Sequence, residues 1–239
     1  TGQSPELILP DTRANGESAV PADPASYRRD QLARDVEALR IELGLERIDL
    51  LGHSAGGSVA LRYGGVYPDR IDHLVLLSPG LQPLGIAFTD EQQEQAMRQR
   101  SNEPWYEDAQ AAIEAANAGD VSAENRLRYM PFFYGRWDDV ARANAQAGIS
   151  ERGKAVQAGF YAPEAFDPAA NRAGLARISS PVLMYVGEVE IGPTPETAAE
   201  AVGLVPGWQL TIQPDAGHYP WLDDPSPFGN NLLAFLGDG

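Results

Sequence analysis

The fold class this sequence predicts is α/β: a mostly parallel sheet flanked by helices, with a helical cap inserted into it. Three observations predict it. Short continuous apolar runs, the mark of strands buried on both faces, alternate with segments of helical spacing. That alternation lapses between residues 89 and 176, where no strong strand occurs and aromatic residues gather. It resumes from residue 177 to the end. The expected organisation is therefore the first part of a core over 1–88, a cap over 89–176 and the rest of the core over 177–239, all within a length that one hydrophobic core can serve.

Taken in order, residues 6–10 (ELILP) form a short apolar run closed by Pro and Asp, and predict a buried strand followed by a loop. Residues 11–25 are rich in Asp, Asn, Gly, Ser and Pro and predict a long loop. From Tyr27 to Leu43, Leu32, Val36, Leu39 and Leu43 recur at helical spacing, and Gly44 supplies a stop. Arg47 to Leu51 is the next strand, Gly57 to Tyr67 a helix of small residues, and Asp72 to Ser78 a buried strand. Within the cap, helices are expected at Asp108–Ala116 and Asp138–Ala147, among Trp105, Tyr106, Tyr129, Phe132, Phe133, Tyr134, Trp137, Phe160, Tyr161 and Phe166. Pro181–Gly187 and Trp208–Gln213 then read as strands, and Glu196–Val202 and Asn230–Leu236 as helices.

Composition excludes several functions. The net charge is −16, and a surface this acidic repels phosphate backbones and anionic membranes, so neither nucleic acid nor membrane is an expected partner. The absence of cysteine removes disulfides, thiolate nucleophiles and Cys-based zinc sites. Residues 1–10 lack a basic start and a long apolar run, so a cytoplasmic protein is expected, with secretion left open.

The chemistry-bearing motif is Gly52-His53-Ser54-Ala55-Gly56. A serine hydroxyl is a poor nucleophile at neutral pH and must be presented to a base; a sharp turn from strand to helix does this, and the motif lies between a predicted strand and a predicted helix. Ser54 is the candidate nucleophile and the Ala55 N–H a candidate oxyanion donor. The chain has three histidines. His53 lies inside the turn and is expected to point elsewhere, and His73 opens a buried strand and reads as structural. His218, in a loop after the last strand, returns to the carboxyl edge of the sheet and is the candidate general base. Glu188 and Glu190 both follow the strand over 181–187, giving the chain order Ser, acid, His; Glu190 is chosen as the acid, with Glu188 nearer the strand end.

These residues resemble a known group. LGHSAGG, PVLMYVGEVE and AGHYPWLDDP are similar to the proline iminopeptidase branch of the α/β-hydrolases, and residues 9–18 resemble that group's D-x-R-G-x-G-x-S loop. The resemblance implies the α/β-hydrolase fold with an inserted helical cap, a Ser-acid-His triad and no cofactor or metal. Three departures accompany it. Glu190 stands where the family usually has Asp, and Ala14 replaces an expected Gly. Members of the family also carry several strands ahead of the ELILPD segment, with a His-Gly-Gly loop that donates a second oxyanion N–H, so the sequence is expected to lack these N-terminal strands.

The function expected from this resemblance is acyl transfer that releases an N-terminal residue, proline preferred, from a short peptide or other small molecule. Trp105, Glu103 and Tyr134 are the candidate substrate-binding residues, with Glu107 and Asp108 as further carboxylates for a substrate ammonium. The alternatives are a carboxylesterase or lactonase with the same triad, and a non-catalytic ligand-binding protein on a hydrolase scaffold. Nothing in the residues decides the oligomeric state.

Overall fold

A computed structural model of the chain describes residues 7–149, 159–162 and 167–237. Four strands, β1 (Ile48–His53), β2 (Ile71–Leu77), β3 (Val182–Gly187) and β4 (Gln209–Gln213), pair in the order β1-β2-β3-β4. Every pairing is parallel, with His53 opposite Leu77, Leu77 opposite Tyr185 and Gly187 opposite Gln213. All four carboxyl ends therefore open on one edge, as a sheet of parallel strands with helical crossovers requires.

The two central strands read as unbroken apolar runs because both of their faces are covered. Leu74, Leu76, Val182, Met184 and Val186 face the larger core, shared with Leu32 and Ala33 of α1 (Arg29–Glu42) and Val59, Ala60, Leu61 and Tyr63 of α2 (Ala55–Val66). Val75, Leu77, Leu183 and Tyr185, one residue out of phase, face the C-terminal helix Pro225–Gly237 through Phe235. Each fully buried Leu of this kind contributes about 1.5–3 kcal/mol. Gly44 takes φ +67° one residue beyond the cap of α1, the left-handed conformation that ends helices.

The cap contains α3 (Asp90–Arg98), α4 (Tyr106–Asn117), α5 (Ala123–Tyr129) and α6 (Asp139–Ile149). It has its own small cores, one built around Met97, Tyr106, Ala109 and Phe132, the other around Tyr134, Ala141 and Ala145. The helix Pro168–Leu175, within the stretch expected to be cap, packs instead on the core: Leu175 joins the large cluster, and the Asn171 amide donates to the Leu61 carbonyl. The aromatic Phe166 lies outside the described residues.

One expected strand does not form. Glu6 lies outside the described residues, and residues 7–10 are irregular, with Leu7 and Leu9 76% and 81% exposed. A strand is held by a hydrogen-bonded neighbour, and among the described residues no strand lies beside this segment, so β1 forms an edge of the sheet. The loop that follows is nonetheless ordered by the paired hydrogen bonds of Arg13 to Asp35 on α1 (2.6 and 2.7 Å). Ala14 holds φ +62°, a conformation that favours glycine, where the resemblance leads one to expect Gly.

Candidate active site

β1 ends at His53, and α2 starts at Ala55. Ser54 makes the whole reversal alone, with φ 52° and ψ −116°, outside the regions that L-residues normally occupy. Holding a residue there costs about 1–3 kcal/mol, and surrounding contacts must enforce it. They are visible: the Ser54 N–H donates to the Leu77 carbonyl at the end of β2 (2.9 Å), and the Ser54 carbonyl accepts from Gly80 and Ser58 (3.2 Å each). Gly52 is required by the turn, since a Cβ there would lie 2.5 Å from the Gly56 carbonyl oxygen. Gly56 itself faces open space, so only one of the two motif glycines is dictated by crowding. The Ala55 amide belongs to the first turn of α2, whose N–H groups have no intrahelical acceptor and carry the positive end of the helix dipole.

The acid and the imidazole come from the loops after β3 and β4. His218 Nδ1 lies 2.7 Å from Glu190 Oε2, both side chains being almost completely buried. The other carboxylate oxygen of Glu190 accepts from the Gly192 N–H (3.1 Å), which fixes the group against rotation. Glu188 points elsewhere and accepts from the Asp215 N–H (3.0 Å), steadying the His218 loop from outside. The structure thus brings together Glu190 and His218, and places Ser54 at the same sheet edge. No hydrogen bond joins Ser54 Oγ to the imidazole among the described residues; such contacts commonly tighten only when substrate binds.

His53 does more than occupy the turn. Its Nε2 lies 2.8 Å from the His218 carbonyl oxygen, to which it donates, and its ring packs against those of His218 (4.7 Å), Tyr219 (5.3 Å) and Trp221 (4.8 Å). The residue before the nucleophile thereby holds the loop that carries the histidine. Sequence reasoning missed it, although the aromatic run Tyr219-Pro220-Trp221 signalled a loop needing an apolar partner.

Of the expected substrate contacts, Trp105 stands edge-on to Phe132 (5.1 Å) with the Arg100 guanidinium over its ring (4.9 Å). Glu103 accepts from the same Arg100 (3.2 Å). Tyr134 is fully buried, stacked on Tyr219 (4.8 Å), with its hydroxyl donating to Asn144 (2.7 Å). Asp108 is paired with Arg128 (2.6 Å), and Glu107 is exposed. A cap residue that the sequence did not single out for the chemistry does meet the imidazole: Phe133, half-buried, stands edge-on to the His218 ring at 5.7 Å.

A second cluster of ionisable groups, Asp49, Asp72 and His73, lies at the amino ends of β1 and β2, the far edge from Ser54. Arg47 approaches Asp72 there (3.3 Å). Among the described residues, no helix is long and apolar enough to cross a membrane.

A strained serine between strand and helix, with a carboxylate–imidazole pair at the same edge of a parallel sheet, defines the class as an enzyme scaffold of the hydrolase type. The chain belongs to the α/β hydrolase fold family, whose model matches residues 6–225. A proline iminopeptidase of Lacticaseibacillus rhamnosus is 26% identical over 97% of this chain and 80% of that protein. A Bacillus subtilis protein provisionally assigned as a 2-succinyl-6-hydroxy-2,4-cyclohexadiene-1-carboxylate synthase is 25% identical over 96% of this chain and 80% of its own length. Among solved structures, a Bacillus subtilis carboxylesterase superposes with a TM-score of 0.62 at 25% identity, covering 89% of this chain and 67% of that one.

Proposed function

We propose that this chain is a serine hydrolase acting by acyl transfer to water, with a small uncharged ester as its best substrate. Ser54 Oγ attacks the carbonyl carbon while His218 Nε2 takes its proton. Glu190 holds the imidazole by Nδ1 and stabilises the imidazolium, and the Ala55 N–H binds the developing oxyanion. The alcohol leaves with the proton from His218, and water activated by the same ring releases the acyl group. The observation that carries this reading is the buried 2.7 Å contact of Glu190 with His218 at the sheet edge that bears the strained Ser54.

The preference for an ester rests on the charges of the cap. An aminopeptidase needs free carboxylates for the substrate ammonium, whereas Glu103 and Asp108 already hold Arg100 and Arg128. The apolar edge of Phe133 against His218 suits an uncharged acyl group. The second reading, release of an N-terminal proline, draws on the similarity to the iminopeptidase and on Glu107, which is exposed. Side-by-side assays of p-nitrophenyl acetate and proline p-nitroanilide separate the two. The ester is expected to be turned over with the larger kcat/KM, and Ser54→Ala to reduce that turnover by about 10,000-fold. A larger kcat/KM on the prolyl amide would reverse the preference, and failure of both substrates would favour a ligand-binding role.

A further inference from the structure

The loop that carries His218 is fastened to one segment of the cap, Phe133–Arg136. The His218 N–H donates to the Phe133 carbonyl (2.8 Å), and Tyr219 stacks on Tyr134. The two backbones run so close that a Cβ on Gly135 would collide with the Asp215 carbonyl, and one on Gly217 would lie 2.7 Å from the Phe133 carbonyl oxygen. Arg100, buried behind the segment, donates to the carbonyls of Tyr134 (2.9 Å) and Gly135 (3.0 Å) and leaves its amides facing the loop.

One amide from each side of this contact reaches the same side chain. Asp223, only 6% exposed, accepts the Gly217 N–H on Oδ2 (2.8 Å) and the Arg136 N–H on Oδ1 (3.3 Å). The Arg136 guanidinium also donates to the Leu222 carbonyl beside it (3.1 Å). A buried carboxylate is costly unless such donors surround it, and here they come from two different parts of the chain, one of them adjacent to the imidazole.

We propose that Asp223 is a positioning residue of the hydrolase: its carboxylate locks the cap backbone at Arg136 to the Gly217 amide and so sets where the His218 ring stands relative to Ser54. The proposal rests on the reading of His218 as the general base. Asp223 touches no reacting atom; it acts through Gly217. It also makes the Phe133 segment part of the active-site frame, so that this stretch of the cap moves only together with the histidine loop.

Asp223→Asn and Asp223→Glu test this. Asparagine keeps one acceptor and turns an amide toward a backbone donor. Glutamate keeps both acceptors, and a cavity of about 410 Å3 lined by Asp223, Arg136, Pro214 and Asp215 has room for the added methylene. With p-nitrophenyl acetate, Asp223→Asn is expected to lower kcat by about 10- to 100-fold with KM held within about twofold, and Asp223→Glu to stay within about fivefold of the wild type. A purely structural role would leave kcat intact in whatever fraction of the protein folds, as judged by circular dichroism and active-site titration. The proposal is overturned if folded Asp223→Asn keeps its kcat, if the loss appears in KM alone, or if Glu is no better than Asn. Should Asp223→Asn fail to fold, hydrogen exchange on the unaltered chain decides: the Gly217 and Arg136 amides are expected to exchange slowly and together, and rapid exchange at Gly217 would refute the lock. A wild-type chain without ester turnover would remove the underlying reading; turnover retained by Asp223→Asn would remove this inference alone.

Discussion

The sheet carries a histidine–carboxylate pair at each of its two edges, and the two are nearly identical in contact geometry. His218 Nδ1 lies 2.7 Å from Glu190, and His73 Nδ1 lies 2.7 Å from Asp49. Both histidine side chains are 9% exposed. They differ in their surroundings. The Glu190 side chain is 0% exposed and tied by Gly192, whereas that of Asp49 is 55% exposed. At the sheet edge of His218 lies a serine in a strained conformation; beside His73 stands the Phe235 ring (5.6 Å), and among the described residues His73 Nε2 is buried without a hydrogen-bond partner. A histidine held by a carboxylate is therefore no active site by itself. It becomes a candidate when its second nitrogen can meet a nucleophile, when its acid is shielded from water, and when the loop bearing it is braced, as it is here by His53 and Asp223.

Removing each acid in turn sharpens the contrast most. Glu190→Ala leaves the imidazole without its orienting partner and is expected to cut kcat by about 1000-fold or more. Asp49→Ala is expected to leave kcat within about twofold and to lower stability by about 1–3 kcal/mol, because the buried His73 Nδ1 loses its acceptor. Steady-state ester hydrolysis and urea unfolding measure both; equal losses of activity would erase the distinction between the two edges.

A smaller effect concerns stability against pH. Burial holds the Asp223 carboxyl above the usual carboxylate range, opposed by its backbone donors at Gly217, Gly135 and Arg136. Below the ordinary carboxylate pKa both folded and unfolded chains are protonated there, and the group does not discriminate. As the pH rises from about 4, the unfolded chain ionises first, so this part of the stability is lost progressively up to the raised folded pKa. Asp223→Asn has no proton to lose and is expected to show a shallower fall in Tm over that window. An unchanged Tm–pH slope would show that the carboxyl is not held above its ordinary range.

Much of this architecture was legible in the residues. The strands over 71–77 and 182–187 show as apolar runs because they are covered on both faces, and the Ser54 turn shows because strand, small residues and helix follow one another. The pairing of Glu190 rather than Glu188 with His218 could only be guessed from spacing, since two residues along a loop reverse the direction of a carboxylate. The segment over residues 7–10 misled for the opposite reason: an apolar run states a preference for burial, while a strand also needs a neighbour. His53 and Asp223 were not readable as braces, because each acts on backbone groups far away in the chain, at His218 and at Arg136, and backbone partners leave no trace in residue identity. Glu103 and Asp108 looked like free carboxylates because the arginines that hold them are chosen by cap packing, not by sequence proximity alone.

The most direct test of the central claim is covalent. The full chain, treated with a fluorophosphonate probe and digested, is read by mass spectrometry together with His218→Ala and His73→Ala. The account predicts one adduct, on Ser54, formed at the same rate in His73→Ala and lost in His218→Ala. An unlabelled Ser54 in the folded wild-type chain, or labelling that depends on His73 and not on His218, would contradict it.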